Sequence, residues 1–480
     1  MRWHSSSSPE GRTGLGVLQG GSHARAVFPS RGHRVRRERR RERAVNPPGL
    51  AGAHYPVAVV GGGQAGLSMS YHLRERGIDH VVLEAGRVGR EWRERRWDTF
   101  CLVTPNWQCK LPGYPYQGTD PDGFMVRDEI VRYLEDYVAF FRPPLVEGVT
   151  VTGLRRSGGV FDLTTTAGAF TADQVVVATG PYHAPSVPRM AERLPSDVEQ
   201  VHSSRYRNPD QLPDGGVLVI GTGQSGCQIA EDLHLAGRQV HLAVGGAPRV
   251  ARFYRGKDCV AWLDEMGHYA KTIDAFDDAD GVRMRVNHYV TGRDGGRDID
   301  LRAFARDGMR LYGRLTGVDG AALEFADDLK LNLDRADAVA EGIKDAIDAH
   351  IAAQRIDAPA EARYVPVWEP SEQPRSLDLR AAGVTSVVWA TGFARDHRWI
   401  ELPAFDGRGY PMHWRGATSI PGLYFLGLPW QYSWGSGRFE AVGRDAGFLA
   451  GHIEASLRLA DVCGTLTGAP SELASALPLG

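Results

Sequence analysis

The chain has 480 residues, 42% apolar and 24% charged, with a net charge of −2; it is too long for one small core, so two or three domains are expected. The balanced charge excludes a general pull towards nucleic acid or a membrane surface. No run approaches the roughly 18 apolar residues of a membrane span, so a cytoplasmic protein is expected, with no nucleic-acid and no membrane partner.

Residues 1–54 differ from the rest: they hold 11 Arg and three Glu, giving about +8 against about −10 for the remainder. Stretches such as "RGHRVRRERRRERAVNPPG" have almost no apolar periodicity, and a disordered extension is expected. It reads either as an arm for an anionic surface or nucleic acid, or as a dispensable extension or early translation start. The five cysteines (Cys101, Cys109, Cys227, Cys259, Cys463) include no Cys-x-x-Cys pair, nothing resembles a secretory signal, and free thiols in a reducing compartment follow. No metal site is expected.

"YPVAVVGGGQAGLSMSYHLRERGIDHVVLEAG" reads as a strand–turn–helix–strand unit along its whole length. Gly61 permits the tight turn, Gly63 lets a diphosphate approach the backbone, and Gly66 lets helix and strand pack closely. The amides of Gln64 and Ala65 open the helix whose dipole favours that diphosphate. The second strand ends at Glu84, whose carboxylate suits ribose hydroxyls and repels a 2′-phosphate. "GGVLVIGTGQSGCQIAEDLHLAGRQVHLAVGGAPRV" repeats the unit with Gly221, Gly223, Gln224, Ser225 and Gly226. Its second strand ends without an acid, and Arg249 and Arg252 follow. A guanidinium in that place suits a 2′-phosphate, although Arg249 also reads as an ordinary arginine in an Arg-rich chain. Two cradles imply two dinucleotides, FAD on the first and NADPH on the second, and so an oxidoreductase.

Further on, "MRLYGRLTGVDGAALEF" alternates Leu311, Gly313 and Leu315 and returns Leu323 and Phe325 across a turn, as in a hairpin. "DDLKLNLDRADAVAEGIKDAIDAHIAAQ" puts Leu329, Leu333, Ala336, Val339, Ile343, Ile347 and Ile351 on one helical face, with Pro359 ending it. This helix covers its domain, lids a substrate site, or makes a homodimer contact.

From about Tyr55 to about residue 455 the chain resembles the class B flavin-dependent monooxygenases, especially bacterial relatives of the plant YUCCA enzymes. The resemblance rests on Gly89 and Trp92 in "GRVGREW", on Trp97-Asp98 and on Thr104-Pro105-Asn106, which that family places against the flavin. It rests also on His202, Tyr206 and Arg207 in "QVHSSRYRNP", a partial match because Ser196-Asp197-Val198 stand where Phe-x-Gly is usual. Tyr206, where the Baeyer–Villiger branch has Trp, favours heteroatom oxidation. Two Ala-Thr-Gly segments ending at Gly180 and Gly392 mark passages between the FAD and NADPH domains, and Gly427 in "GLYFLGLPW" lies near the flavin. Disulfide reductases and thioredoxin reductases carry a redox-active Cys pair that this chain lacks.

The resemblance implies an α/β fold of two nested Rossmann-like domains: FAD-binding over 55–195 and 376–480, and NADPH-binding over 196–375 with a partly helical insertion at 255–360. It implies NADPH-dependent monooxygenation of a small organic substrate by O2 through a flavin C4a-hydroperoxide, by N- or S-oxygenation or YUCCA-like oxidative decarboxylation. A flavin oxidase or reductase without oxygen transfer, and a non-catalytic FAD redox sensor, are the alternatives. Asn106 is the candidate catalytic residue, by similarity to a Thr-x-Asn segment of microsomal flavin monooxygenases; it reads equally as the cap of a turn before Trp107.

Overall fold

The computed structural model describes residues 49–467, so the Arg-rich run of the extension lies outside the described residues. The first unit is β1 (His54–Val60), α1 (Gln64–Glu75) and β2 (His80–Glu84). After α2 (Arg127–Phe141) come β3 (Leu145–Glu147), β4 (Val151–Ser157), β5 (Val160–Thr165) and β6 (Gly168–Val177). The second unit is β7 (Glu199–His202), β8 (Gly216–Ile220), α3 (Gln224–Leu235) and β9 (Val240–Ala243). Then follow β10 (Arg310–Tyr312), β11 (Leu315–Asp319), β12 (Ala322–Phe325), α4 (Leu329–Gln354), β13 (Ser376–Asp378) and β14 (Val384–Trp389). β15 (Leu423–Phe425) and α5 (Val442–Thr467) close the chain.

The first sheet runs β3-β2-β1-β6-β5-β4, with β15 also paired to β6. Its β3, β2, β1, β6 and β15 are parallel, and β6-β5-β4 is an antiparallel meander. Val57, Ala58 and Val59 are wholly buried, as a parallel strand covered on both faces requires. On one side Val57 and Val59 pack with Leu67, Met69 and Leu73 of α1 and Val442, Ala446 and Leu449 of α5. On the other, Ala58 and Val60 meet Phe161, Leu163 and Phe425.

The second sheet is wholly parallel, in the order β7-β14-β8-β9-β10. One face meets α3 and the start of α4; the other meets the three-stranded β11-β12-β13 sheet. The α/β fold with two nested parallel-sheet units is therefore as expected, with shifted boundaries. Leu50 is buried in the first core and Gly52 N donates to Ala169 O (2.8 Å), so residues 50–54 belong to the fold and not to the extension. β14 lies between β7 and β8, so the second domain reaches Trp389 and not residue 375, because a central parallel strand cannot leave its sheet without exposing both neighbours.

The hairpin begins at Leu315; Leu311 belongs to β10, in the second sheet. α4 ends at Gln354 with Arg355 in the left-handed region, before Pro359 is reached. Its buried face is Leu329, Leu333, Ala336, Ala340, Ile347 and Ile351, and Val339 is exposed. Packing against two successive partners turns the buried stripe part-way along: the first half meets the second sheet's core, and Ile347 and Ile351 meet Tyr254 and Trp262 of the insertion.

Candidate functional site

The first cradle follows from its local sequence. Gly61 has φ +111, and a Cβ on Gly66 would collide with the Gly61 carbonyl, so helix and strand approach closely only with glycine there. A Cβ at Gly63 would meet nothing within 4 Å, which leaves the amide end of α1 open to a ligand. Glu84 stands at the rim, Oε2 accepting from Gly62 N (2.8 Å) and Oε1 from Gly86 N (2.9 Å). The loop after β15 rests on this cradle: Gln64 Nε2 donates to Gly437 O (3.2 Å), and a Cβ on Gly427 would come within 2.9 Å of the Ala65 side chain. Tertiary structure thus brings Gln64, Ala65 and Gly427 together across more than 360 residues of chain. The open amide end and the carboxylate at the strand tip fit a dinucleotide with a free ribose.

The second cradle repeats the geometry, with Gly221 at φ +103 and Gly226 against the Gly221 carbonyl. Ser225, like Gln224, lies in the opening turn of α3. β9 runs out through Val244 to Gly245, whose N donates to the hydroxyl oxygen of Thr222 (3.0 Å) and not to an acid. An insertion segment covers part of this cradle. Gln224 Nε2 donates to Val290 O (2.5 Å), and Val286 is the group nearest to a Cβ built on Gly223, at 3.7 Å.

Arg249 does not stand where it was expected. It is 3% exposed, its Nε donates to Asp337 Oδ1 (2.6 Å), and its guanidinium lies 4.1 Å from the Tyr364 ring centroid. A guanidinium so engaged is not free for a 2′-phosphate. Arg252 is likewise buried, with Nη2 on Asp258 Oδ1 (2.6 Å) and Nη1 on Val103 O (2.7 Å).

Asn106 is also engaged in its own loop. It is buried, Oδ1 accepting from Met125 N (2.7 Å) and Nδ2 donating to Asp120 O (2.9 Å). Its amide ties residues 120–125 in place and does not cap the turn before Trp107, whose flanking residue Pro105 offers no side-chain cap. Thr104, beside it, is half-buried. Trp92 forms part of an aromatic wall, stacked on Phe439 at 5.9 Å with Arg96 5.2 Å from its centroid. Trp97 instead sits in the core of the second domain with Tyr206 and Val217, because its chain has already crossed to that side.

The fingerprint residues form a joint. His202 is buried; Nε2 donates to Gly392 O (2.9 Å) at the second Ala-Thr-Gly turn, and Phe393 packs edge-on to its ring. Gly180 and Gly392 have φ +72 and +83. Tyr206 donates to Asp232 Oδ2 (2.7 Å), while Oδ1 of that buried residue of α3 accepts from Thr99 Oγ1 (2.6 Å) and Arg293 Nη1 (2.9 Å). Burial, then the Asp232 charge, keeps Tyr206 a phenol. Asp232 was not foreseen; its partners come from three distant stretches, and only an acid on the buried side of a helix hinted at it.

Arg438 was missed as well. Its guanidinium lies 3.5 Å from the Trp434 centroid, Nη2 donates to Asn287 Oδ1 (3.0 Å), and burial lowers its pKa to about 10. The described cysteines 101, 109, 227 and 259 are buried and free. Burial pushes Cys101 up to about 11 and Cys109 and Cys259 up to about 12, so all three stay thiols. Among the described residues no helix is long and apolar enough to cross a membrane.

A family model described as pyridine nucleotide-disulphide oxidoreductase matches residues 58–273. An uncharacterized CzcO-like oxidoreductase of Geobacillus kaustophilus is 34% identical over 408 residues, spanning 83% of this chain and 97% of the relative. The indole-3-pyruvate monooxygenase YUCCA4 of Oryza sativa is 31% identical over 210 residues, 40% of this chain and 46% of the relative. Among solved structures, a flavin-containing monooxygenase from Stenotrophomonas maltophilia superposes with a TM-score of 0.58 at 20% identity, covering 84% of this chain and 99% of that one. The bacillithiol disulfide reductase Bdr of Staphylococcus aureus gives 0.54 at 14% identity, with coverages of 84% and 99%. At these identities the two structures show a shared fold.

Proposed function

This chain belongs with the CzcO-like oxidoreductases of the pyridine nucleotide-disulphide oxidoreductase family, and from that membership we propose that it is an NADPH-dependent FAD monooxygenase acting on a small organic molecule. FAD, when bound, accepts hydride from a nicotinamide and passes the electrons to O2. The first cradle would hold it through the amides of Gly63, Gln64 and Ala65, with Glu84 on the adenosine ribose. The second would hold NADPH through Gly223, Gln224, Ser225 and the opening turn of α3.

The observation that carries the reading is the state of the thiols beside two complete cradles. A disulfide reductase relays electrons through a reactive dithiol, but the four described cysteines are buried and unpaired. That state of the thiols speaks against a protein dithiol among the described residues as the acceptor, and we assign the role to dioxygen. Trp92, Phe439 and Phe100 supply an aromatic wall beside the first cradle's closing helix, the kind of surface that would help to keep water from oxygen transfer. His202 and the Tyr206–Asp232–Thr99 joint hold the two domains' turns in register, a positioning role that needs no acid–base residue.

The experiment compares NADPH consumption, H2O2 release and product formation with amines, thioethers and 2-oxo acids. At least one class should lower H2O2 well below one per NADPH and acquire an oxygen atom from isotopically labelled O2. Stoichiometric H2O2 with every class would favour an oxidase. Electron delivery to a disulfide and not to O2 would favour a reductase.

A further inference from the structure

The two cradles differ at one matching position. The second glycine of such a turn lacks a side chain so that a diphosphate can approach the backbone there. A Cβ at Gly63 would meet nothing within 4 Å, but a Cβ at Gly223 would lie 3.7 Å from a methyl of Val286. That is ordinary contact between two carbons. A phosphate reaches further from the backbone than one carbon does, so it and the Val286 methyl compete for the same space.

Val286 belongs to a stretch held firmly at both ends and loosely between them. After it, Tyr289 and Val290 are buried; Tyr289 N donates to Pro248 O (2.9 Å), and Val290 O accepts from Gln224 Nε2 (2.5 Å). Before it, the short helix Ala279–Met284 buries Val282, and further back Ile273 N donates to Tyr432 O (2.7 Å). Residues 284–287 between these anchors are all exposed, Val286 by 56%. Among the described residues their side chains make two polar contacts. Met284 Sδ lies 3.9 Å from Nη2 of Arg395, and Asn287 Oδ1 accepts from Nη2 of Arg438 (3.0 Å). Arg438 adjoins Gly437, whose carbonyl takes the amide of Gln64 on the first cradle. Four exposed residues so lightly tied, between buried pivots, can be displaced at small cost.

We propose that residues 284–287 are a latch on the second cradle. Val286 stands over the diphosphate position, Asn287 clasps the latch to Arg438 in the loop after β15, and dinucleotide binding lifts Val286 off Gly223. This rests on the coenzyme reading above. A latch lowers the apparent affinity by the fraction of molecules in which it is open, and whatever loosens it restores that affinity. The sign separates it from a simple lining residue. Trimming a side chain that packs on a bound ligand weakens binding, whereas trimming a latch strengthens it.

The test titrates NADP+ and NAD+ separately into the oxidised, FAD-loaded full-length protein by calorimetry. It uses the parent, V286A, N287A, the double variant, and L459A as an exposed apolar residue on α5. V286A and N287A should each tighten both dinucleotides about threefold. The double variant should gain more than either, and L459A should stay within about 1.5-fold of the parent, with FAD content equal throughout. Both dinucleotides gain alike because the diphosphate is common to them. Failure of V286A or of N287A to gain affinity, or a gain confined to one dinucleotide, overturns the proposal; a parent that still binds leaves the coenzyme reading intact. If neither the parent nor any variant binds a dinucleotide, the reading and the proposal fall together.

Discussion

Replacing Tyr206 by Phe removes one hydroxyl from the cluster around Asp232 and leaves the ring in place. That hydroxyl, wholly buried, donates at 2.7 Å to Oδ2 of Asp232, which is itself 3% exposed. A hydrogen bond to a buried charged acceptor contributes about 1.5–3 kcal/mol, and the acceptor would be left without its donor. Thr99 and Arg293 still hold Oδ1, so the carboxylate keeps its place and the FAD cradle, which shares no atom with it, should stay loaded. A fitting control is Tyr424→Phe, whose buried hydroxyl donates at 2.9 Å to the neutral amide oxygen of Gln174. A neutral pair contributes about 1 kcal/mol. Urea unfolding of the FAD-loaded proteins should therefore rank parent, Y424F and Y206F in falling stability, with Y206F about 0.5–2 kcal/mol below Y424F. Equal losses in the two variants, or a Y206F protein as stable as the parent, would refute the claim that Asp232 is the charged centre of the cluster.

Arg249→Gln should lower stability by about 1.5–3 kcal/mol, because it removes one of the two guanidiniums on Asp337 while Arg302 stays bonded to it; the ratio of NADPH to NADH affinity should not move, and a selective loss of NADPH would reinstate Arg249 as a coenzyme ligand. The four described thiols should resist a disulfide reagent at pH 8 in the native protein and react on unfolding; rapid native labelling of two or more thiols would contradict their burial. Burial, then Arg310, lowers His241 to about 4, and burial lowers His268, His397 and His413 to about 4 as well. Neutral in the fold but protonated when unfolded below the ordinary 6.5, these groups hold stability above pH 6.5 and surrender it progressively as pH falls towards 4. Urea midpoints should fall between pH 7.5 and 5, less steeply in His241→Asn, and a flat profile would count against the mechanism.

The sequence by itself determined whatever depends on neighbours in the chain. Both cradles, their Gly61–Gly66 and Gly221–Gly226 turns and the carboxylate at the tip of β2 were legible, since a strand, a tight turn and a helix within 30 residues are set by local sterics and burial. The nested two-domain architecture was expected from the family resemblance that those units and the later motifs carried. What tertiary structure alone decided was the use of each polar side chain. Arg249 turned inward because its partner, Asp337, arrives from a helix 88 residues away. Asn106 was claimed by backbone groups at 120 and 125, and β14 joined the second sheet only because β7 and β8 left a place between them. Asp232 became a hub through residues 99, 206 and 293. A guanidinium or carboxylate carries the same charge wherever it stands, so its role depends on which opposite charge or donor the fold delivers; that delivery is a property of long-range packing, which no short stretch of chain encodes.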